Sequence, residues 1–118
     1  MGRLYTIESW ALIALGVVHV SAAPRFFDAF TSQALWFVSG GLLMALVGVL
    51  NLLNRAYGRG ARGLRIVCLG VNTLMVAFGI AVGLLSRASL ASWIIVLGIV
   101  VPLTVLSSLR AVTKAHAT

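Results

Sequence analysis

Charge is scarce in this sequence, and acid is scarcest. Only 9% of its 118 residues are Asp, Glu, Lys or Arg, and two of those are acids, whereas an ordinary soluble domain carries roughly 25% charged residues. With 61% hydrophobic residues and a mean hydropathy of +1.10, the chain lacks the polar side chains needed to cover a water-facing surface. A soluble fold is excluded. The single cysteine, Cys68, excludes an internal disulfide and a thiolate metal cage. CxxC, HExxH, Walker and nucleophile-elbow patterns are all missing, so no metal and no cofactor is implied. Composition does not shift along the chain, which reads as one integral membrane domain over residues 1–118.

What is present is a set of four apolar runs, at about Thr6–Ala22, Ser32–Leu53, Leu64–Leu85 and Leu90–Leu109. As helices they span about 26 to 33 Å, which matches a hydrocarbon core near 30 Å. The runs are continuous and not alternating, which excludes barrel strands. The expected fold is all-α, a four-helix transmembrane bundle. A signal peptide is the alternative for the first run, because Arg3 precedes it and Val20-Ser21-Ala22 suits cleavage. Pro24 just beyond that cut argues for a retained helix.

Nine basic residues give a formal charge of +7. In a soluble protein this would suggest nucleic acid, but here the charges lie between membrane spans and no basic reading face exists. Seven of the nine, Arg3, Arg55, Arg59, Arg62, Arg65, Arg110 and Lys114, fall at one end of the expected bundle, and Arg25 and Arg87 at the other. The positive-inside bias places both termini in the cytoplasm. Tyr5, Trp10 and Tyr57 are expected at the inner interface, Trp36 and Trp93 at the outer one. Pro24-Arg25-Phe26-Phe27-Asp28-Ala29-Phe30 reads as a short interfacial helix between helices 1 and 2. Thr31 or Ser32 can cap the helix that follows, and Ser86-Arg87-Ala88-Ser89 is a tight turn that makes the last two helices antiparallel neighbours.

Gly58-Arg59-Gly60-Ala61-Arg62-Gly63 matches the Gly-x-Gly-x-x-Gly dinucleotide fingerprint in letters only. The fingerprint needs a preceding strand and a βαβ unit, and this stretch reads as an Arg-rich loop drawn to anionic headgroups.

Few residues are left that can carry chemistry. Glu8 is the only acid within a helix, about one turn inside the boundary, where it can serve a function or complement the helix dipole. His19 shares its face but lies about 16 Å away along the axis, so the two cannot form a dyad. His116 stands at the opposite end, which leaves His19 without a second metal ligand. Asn72 sits about 12 Å above the inner boundary and needs a partner there. Cys68, Asn72, Met75, Gly79 and Gly83 share one face, and Gly79 with Gly83 forms a Gly-x-x-x-Gly pair suited to close helix packing. Gly41, Met44, Gly48 and Asn51 make a comparable face on the second helix. Pro102 frees the carbonyl of Gly98, and Thr104, Ser107 and Ser108 continue a weakly polar line. Glu8, Asn51, Asn72 and Thr104 are expected to gather as a polar cluster in the inner leaflet, below a drier half holding His19 and Ser39. Such a cluster serves as helix glue, as a ligand pocket or as a catalytic site.

Gly16-Val-Val-His19, and Ala34-Leu-Trp-Phe37 followed by Gly40-Gly41 and Gly48, are similar to uncharacterised small bacterial four-helix inner-membrane proteins of the DoxX-like type. The resemblance covers mainly residues 10 to 53 and implies the bacterial inner membrane, with no catalytic residues to carry over. A proton-coupled small multidrug transporter also has about this length and four helices, but it needs an acid deeper in the first helix than Glu8.

The leading expectation is a non-enzymatic membrane protein that binds a lipophilic small molecule or serves as a subunit of a membrane assembly. Membrane lipids, and a homo-oligomer or larger complex, are the expected partners. A small homo-oligomeric transporter is the alternative. A membrane enzyme acting on a terpenoid- or sterol-like substrate, with Glu8 or His19 as acid–base group and Asn72 as orienter, is a third reading.

Overall fold

The computed structural model describes residues 1–114; His116 lies outside them. Four helices account for almost all of that length: α1 Gly2–Phe26, α2 Ser32–Tyr57, α3 Arg62–Leu85 and α4 Leu90–Ser108, followed by a single 3-10 turn, Arg110–Val112. All four helices are long and apolar enough to cross a membrane, and the protein is a multi-pass, four-helix membrane protein. The bundle measures 54 × 25 × 21 Å. Helix α1 packs on α2 and α4, and α3 packs on α4 and, over a shorter stretch, on α2. The chain start, the α2–α3 connection and the 3-10 turn share one end, called the terminal end below. The α1–α2 and α3–α4 connections share the far end.

The helices outrun the apolar stretches because helical hydrogen bonding continues into the interfaces, where polar side chains are no obstacle. Helix α1 passes through Pro24, whose ring is tolerated so close to the end of the helix, and closes with Phe27 N–H donating to the Ala23 carbonyl at 3.0 Å. Arg25 lies in this last turn, where a cation complements the helix dipole.

The interfacial helix expected over Pro24–Phe30 does not form. Its first three residues belong to α1, and residues 27–31 are a bend closed by Thr31 N–H to the Ala29 carbonyl at 3.0 Å. The cause is aromatic packing. The rings of Phe26 and Phe27 lie 5.7 and 5.5 Å from that of Phe37 on α2, which holds them against the bundle. Thr31 caps α2, accepting from the Ala34 N–H at 3.3 Å.

The expected Arg-rich loop is also shorter than its polar letters suggest. Helix α2 runs to Tyr57 and α3 starts at Arg62, so residues 58–61 alone make the connection. The Gly-rich run follows a helix, not a strand. At the far end Arg87 adopts φ 50°, the left-handed position that usually falls to glycine, and Ala88 N–H reaches back to the Gly83 carbonyl at 2.9 Å. Ser89 then caps α4 through the Ser92 N–H at 3.2 Å.

Water drives no association between helices inside a bilayer, so contact geometry and hydrogen bonds must do so. Helices α1 and α2 come closest. A Cβ on Gly41 would lie 2.8 Å from the Gly16 carbonyl oxygen, and one on Gly48 2.7 Å from the Ser9 carbonyl oxygen. Only glycine permits that approach. On α3 the arrangement differs: Gly79 faces a Val96 methyl at an ordinary 3.5 Å, and Gly83 is covered by the Trp93 indole. The apolar core of Leu12, Val47, Met75, Val100, Leu103 and Leu106 is closed at the terminal end by Val112. The 3-10 turn is tied there through Arg55, whose Nη1 donates to the Val112 carbonyl at 3.1 Å and whose carbonyl accepts from Lys114 N–H at 2.8 Å.

Candidate functional site

Among the described residues, buried polar side chains gather in the half of the bundle toward the terminal end. Asn51 and Asn54 stand three apart on α2, and Cys68 and Asn72 four apart on α3, so each pair occupies one helix face. Tyr5 comes from the second turn of α1. All five are fully buried.

Asn51 is the hub. Its Nδ2 donates to Asn72 Oδ1 at 2.9 Å and to the Val47 carbonyl at 2.8 Å, and Asn72 Nδ2 returns a bond to Asn51 Oδ1 at 2.8 Å. The two amides form a closed pair between α2 and α3. Asn51 Oδ1 also accepts from the Tyr5 hydroxyl at 2.7 Å and from the Cys68 thiol at 3.3 Å. Asn54 Nδ2 donates to the Tyr5 hydroxyl at 3.0 Å. Ser9, also fully buried, returns its hydroxyl proton to the Tyr5 carbonyl at 2.7 Å. Three helices are joined by one network in which nearly every donor and acceptor is used. A buried network so engaged makes one arrangement of the helices rigid.

The network departs from the expected cluster. Glu8 and Thr104 stand outside it: Glu8 lies half-buried on the flank of α1, and the Thr104 hydroxyl donates to the Val100 carbonyl of its own helix at 2.7 Å. The reason is rotational, because Tyr5 and Ser9 hold the inward stripe of α1 and turn Glu8 to the side. Tyr5 is likewise no interface anchor, although Trp10 and Tyr57 are exposed at that end. Sequence reasoning missed Tyr5 and Asn54. The signal was the pairing of polar residues at helical spacing on α2 and α3, which marks an inward polar face that α1 must answer with a group able to donate and accept.

His19 is apart from all this. Its ring stacks on Phe37 with centroids 3.9 Å apart and planes 17° from parallel, within the aromatic group at the far end. Ser39 bonds the Leu35 carbonyl of its own helix at 2.8 Å. The glycines divide as described above: Gly41 and Gly48 meet the backbone of α1, and Gly79 and Gly83 meet side chains of α4.

Two buried polar atoms have no partner among the described residues, Asn54 Oδ1 and Arg65 Nε. Both flank Gly58, where a Cβ would collide with the Asn54 amide oxygen and lie 3.0 Å from Arg65 Cγ. Two clefts open near the two ends of the bundle. A cleft of about 460 Å³ opens between α3 and the α4 end, lined by Arg62, Arg65, Ile66, Leu69, Ser108 and Arg110. A second cleft, of about 310 Å³, lies at the far end among Val20, Ala23, Phe27, Phe30, Ala34 and Val38.

The network can hold helices together and orient Tyr5. Its side chains are buried and, apart from Asn54 Oδ1, engaged with one another among the described residues. Comparison of the chain with protein-family models, curated proteins and solved structures gives no match.

Proposed function

We propose that this is a small protein of the inner (cytoplasmic) membrane, with both termini in the cytoplasm, that binds a lipophilic small molecule without transforming it or carrying it across. One observation carries this reading: the central polar groups are buried and mostly bonded to each other, while two open clefts with apolar lining residues lie near the two ends of the bundle, within reach of bilayer molecules. An enzyme of the third kind would need Glu8, His19 and Asn72 near one space. Glu8 and His19 are about 16 Å apart along α1, and Asn72 is bonded to Asn51. The DoxX-like resemblance of residues 10 to 53 agrees with the proposed membrane.

The test is a mass-spectrometric inventory of molecules that stay with the protein through gentle detergent purification. A lipophile retained by both the wild type and Asn72→Leu supports the reading. Recovery of partner proteins with no retained lipophile replaces it with a subunit role, and solute uptake into proteoliposomes replaces it with transport. Orientation follows from impermeant thiol labelling of intact cells, using single cysteines in a Cys68→Ala background. A probe at Ala29 is labelled and one at Ala61 is not; the reverse pattern overturns the orientation, and labelling of both indicates dual insertion.

A further inference from the structure

The cleft between α3 and the α4 end is built from charge above and hydrocarbon below. Arg62 and Arg65 come from the first turns of α3 and Arg110 from the 3-10 turn, with Ser108 between them. Ile66 and Leu69 continue the wall about one to two turns deeper.

Three arginines line this cleft, with no carboxylate among the lining residues. The sequence has only two acids: Asp28 lies at the far end, and Glu8 on α1 does not line the cleft. Like charges gathered around one space repel one another unless an anion sits between them. Arg55, at the same end, is committed to the Val112 carbonyl. Arg65 is not committed in this way, and its Nε–H is buried without an acceptor among the described residues. Helix α3 also begins without a side-chain cap and without an acid in its first turn, so its free N–H groups add positive potential at the same place.

We propose that this cleft binds the phosphate group of an anionic phospholipid, held by Arg62, Arg65 and Arg110, with the acyl chains lying along Ile66 and Leu69. Guanidinium groups match phosphate oxygens in pairs of parallel hydrogen bonds. Basic pockets between membrane helices at the cytoplasmic face suit such headgroups. A zwitterionic headgroup carries the same phosphate but brings a cation into the field of three arginines, which disfavours it. The apolar lower wall favours a lipid over free phosphate. The inference rests on the reading above that ligands reach the protein from the bilayer, and it names the class taken by this cleft.

The test uses the full chain in mild detergent, with native mass spectrometry and thermal unfolding against dioleoyl phosphatidylglycerol, dioleoyl phosphatidylcholine and inorganic phosphate. Phosphatidylglycerol should remain bound and raise the melting temperature, while the other two do neither. Arg62→Gln/Arg110→Gln, which spares the half-buried Arg65, should weaken phosphatidylglycerol binding at least fivefold. The charge-matched pair Arg3→Gln/Arg59→Gln, outside the cleft, should weaken it less than twofold. If the first pair folds poorly, Ser108→Glu, which sets a carboxylate in the wall at an exposed position, should produce the same loss.

Equal losses from both arginine pairs would mean diffuse attraction and overturn the site. Protection by inorganic phosphate as strong as that by phosphatidylglycerol would overturn the lipid assignment in favour of a free anion. A wild type with no preference for phosphatidylglycerol but a retained neutral lipophile would overturn this inference alone, whereas a protein that retains no lipophile would overturn the reading beneath it as well.

Discussion

The first hairpin, α1 with α2, and the second, α3 with α4, draw on similar glycine-rich apolar sequence and are held by different means. In the first, Gly16, Gly41 and Gly48 each face the backbone of the opposite helix within 3 Å of where a Cβ would stand, with the Val20 and Ile13 side chains also against Gly41 and Gly48. In the second, Gly79 meets a methyl, Gly83 meets the Trp93 ring, and Gly70 and Gly98 have nothing within 4 Å. A glycine's effect on membrane-helix association therefore depends on what its bare face meets. Between the hairpins the bond changes character again, because α2 is joined to α3 by the Asn51–Asn72 amide pair.

The sharpest way to break the comparison is a set of glycine-to-alanine changes. Gly16→Ala drives a methyl into the Gly41 carbonyl and the Ala45 amide, and should cost about 3 kcal/mol or leave no folded protein. Gly83→Ala presses on the Trp93 indole, with Cζ2 and Cη2 at 2.6 Å and Cε2 at 3.0 Å, a side chain and not backbone, and should cost about 1 kcal/mol. Gly70→Ala, in open space within α3, should gain about 0.5 to 1 kcal/mol from helix propensity. Thermal unfolding in one detergent ranks the three. Equal costs at Gly16 and Gly83 would remove the distinction between the hairpins.

The amide pair is tested by a double-mutant cycle. Asn51→Leu and Asn72→Leu should each lose about 1 to 2 kcal/mol, because each leaves the other amide short of a partner. The coupling between them should be roughly 0.6 to 1.7 kcal/mol, the range of hydrogen bonds between membrane helices. Strictly additive losses would mean that the hairpins are joined by packing instead.

A comparably small effect is expected at the far end of the second hairpin. Arg87 holds a left-handed backbone, so Arg87→Gly should gain about 1 kcal/mol. A loss would show that the guanidinium makes a contact worth more than the relief of strain.

Much of the candidate site could be read from residue spacing, and the unread part has a geometric cause. Asn51 and Asn72 stand out in any sequence of this kind, because an amide in hydrocarbon must find a partner. That they find each other depends on the rotation of α2 and α3 about their axes, which no local pattern encodes. Tyr5 sits close enough to the boundary to pass for an interface anchor, and only the tight approach of α1 to α2 carries its hydroxyl into the network. Glu8 was turned aside by the same approach. The cleft arginines were visible as a charge bias, whereas their lining one cleft depends on where the 3-10 turn after α4 places Arg110.

It follows from the amino-acid sequence alone that the protein lives in a membrane, that it crosses four times as helices, and roughly where the three connections between them fall. Those conclusions follow from the length and continuity of apolar runs, which are local quantities set by bilayer thickness and backbone hydrogen bonding. That α1 runs through Pro24 in place of an interfacial helix is a matter of packing in the fold. Packing also decided which glycines meet backbone, which polar side chains share a network, and where space remains. Each depends on how helices rotate and approach one another, and in a bilayer that is set by the fit of many small contacts between segments far apart in the chain.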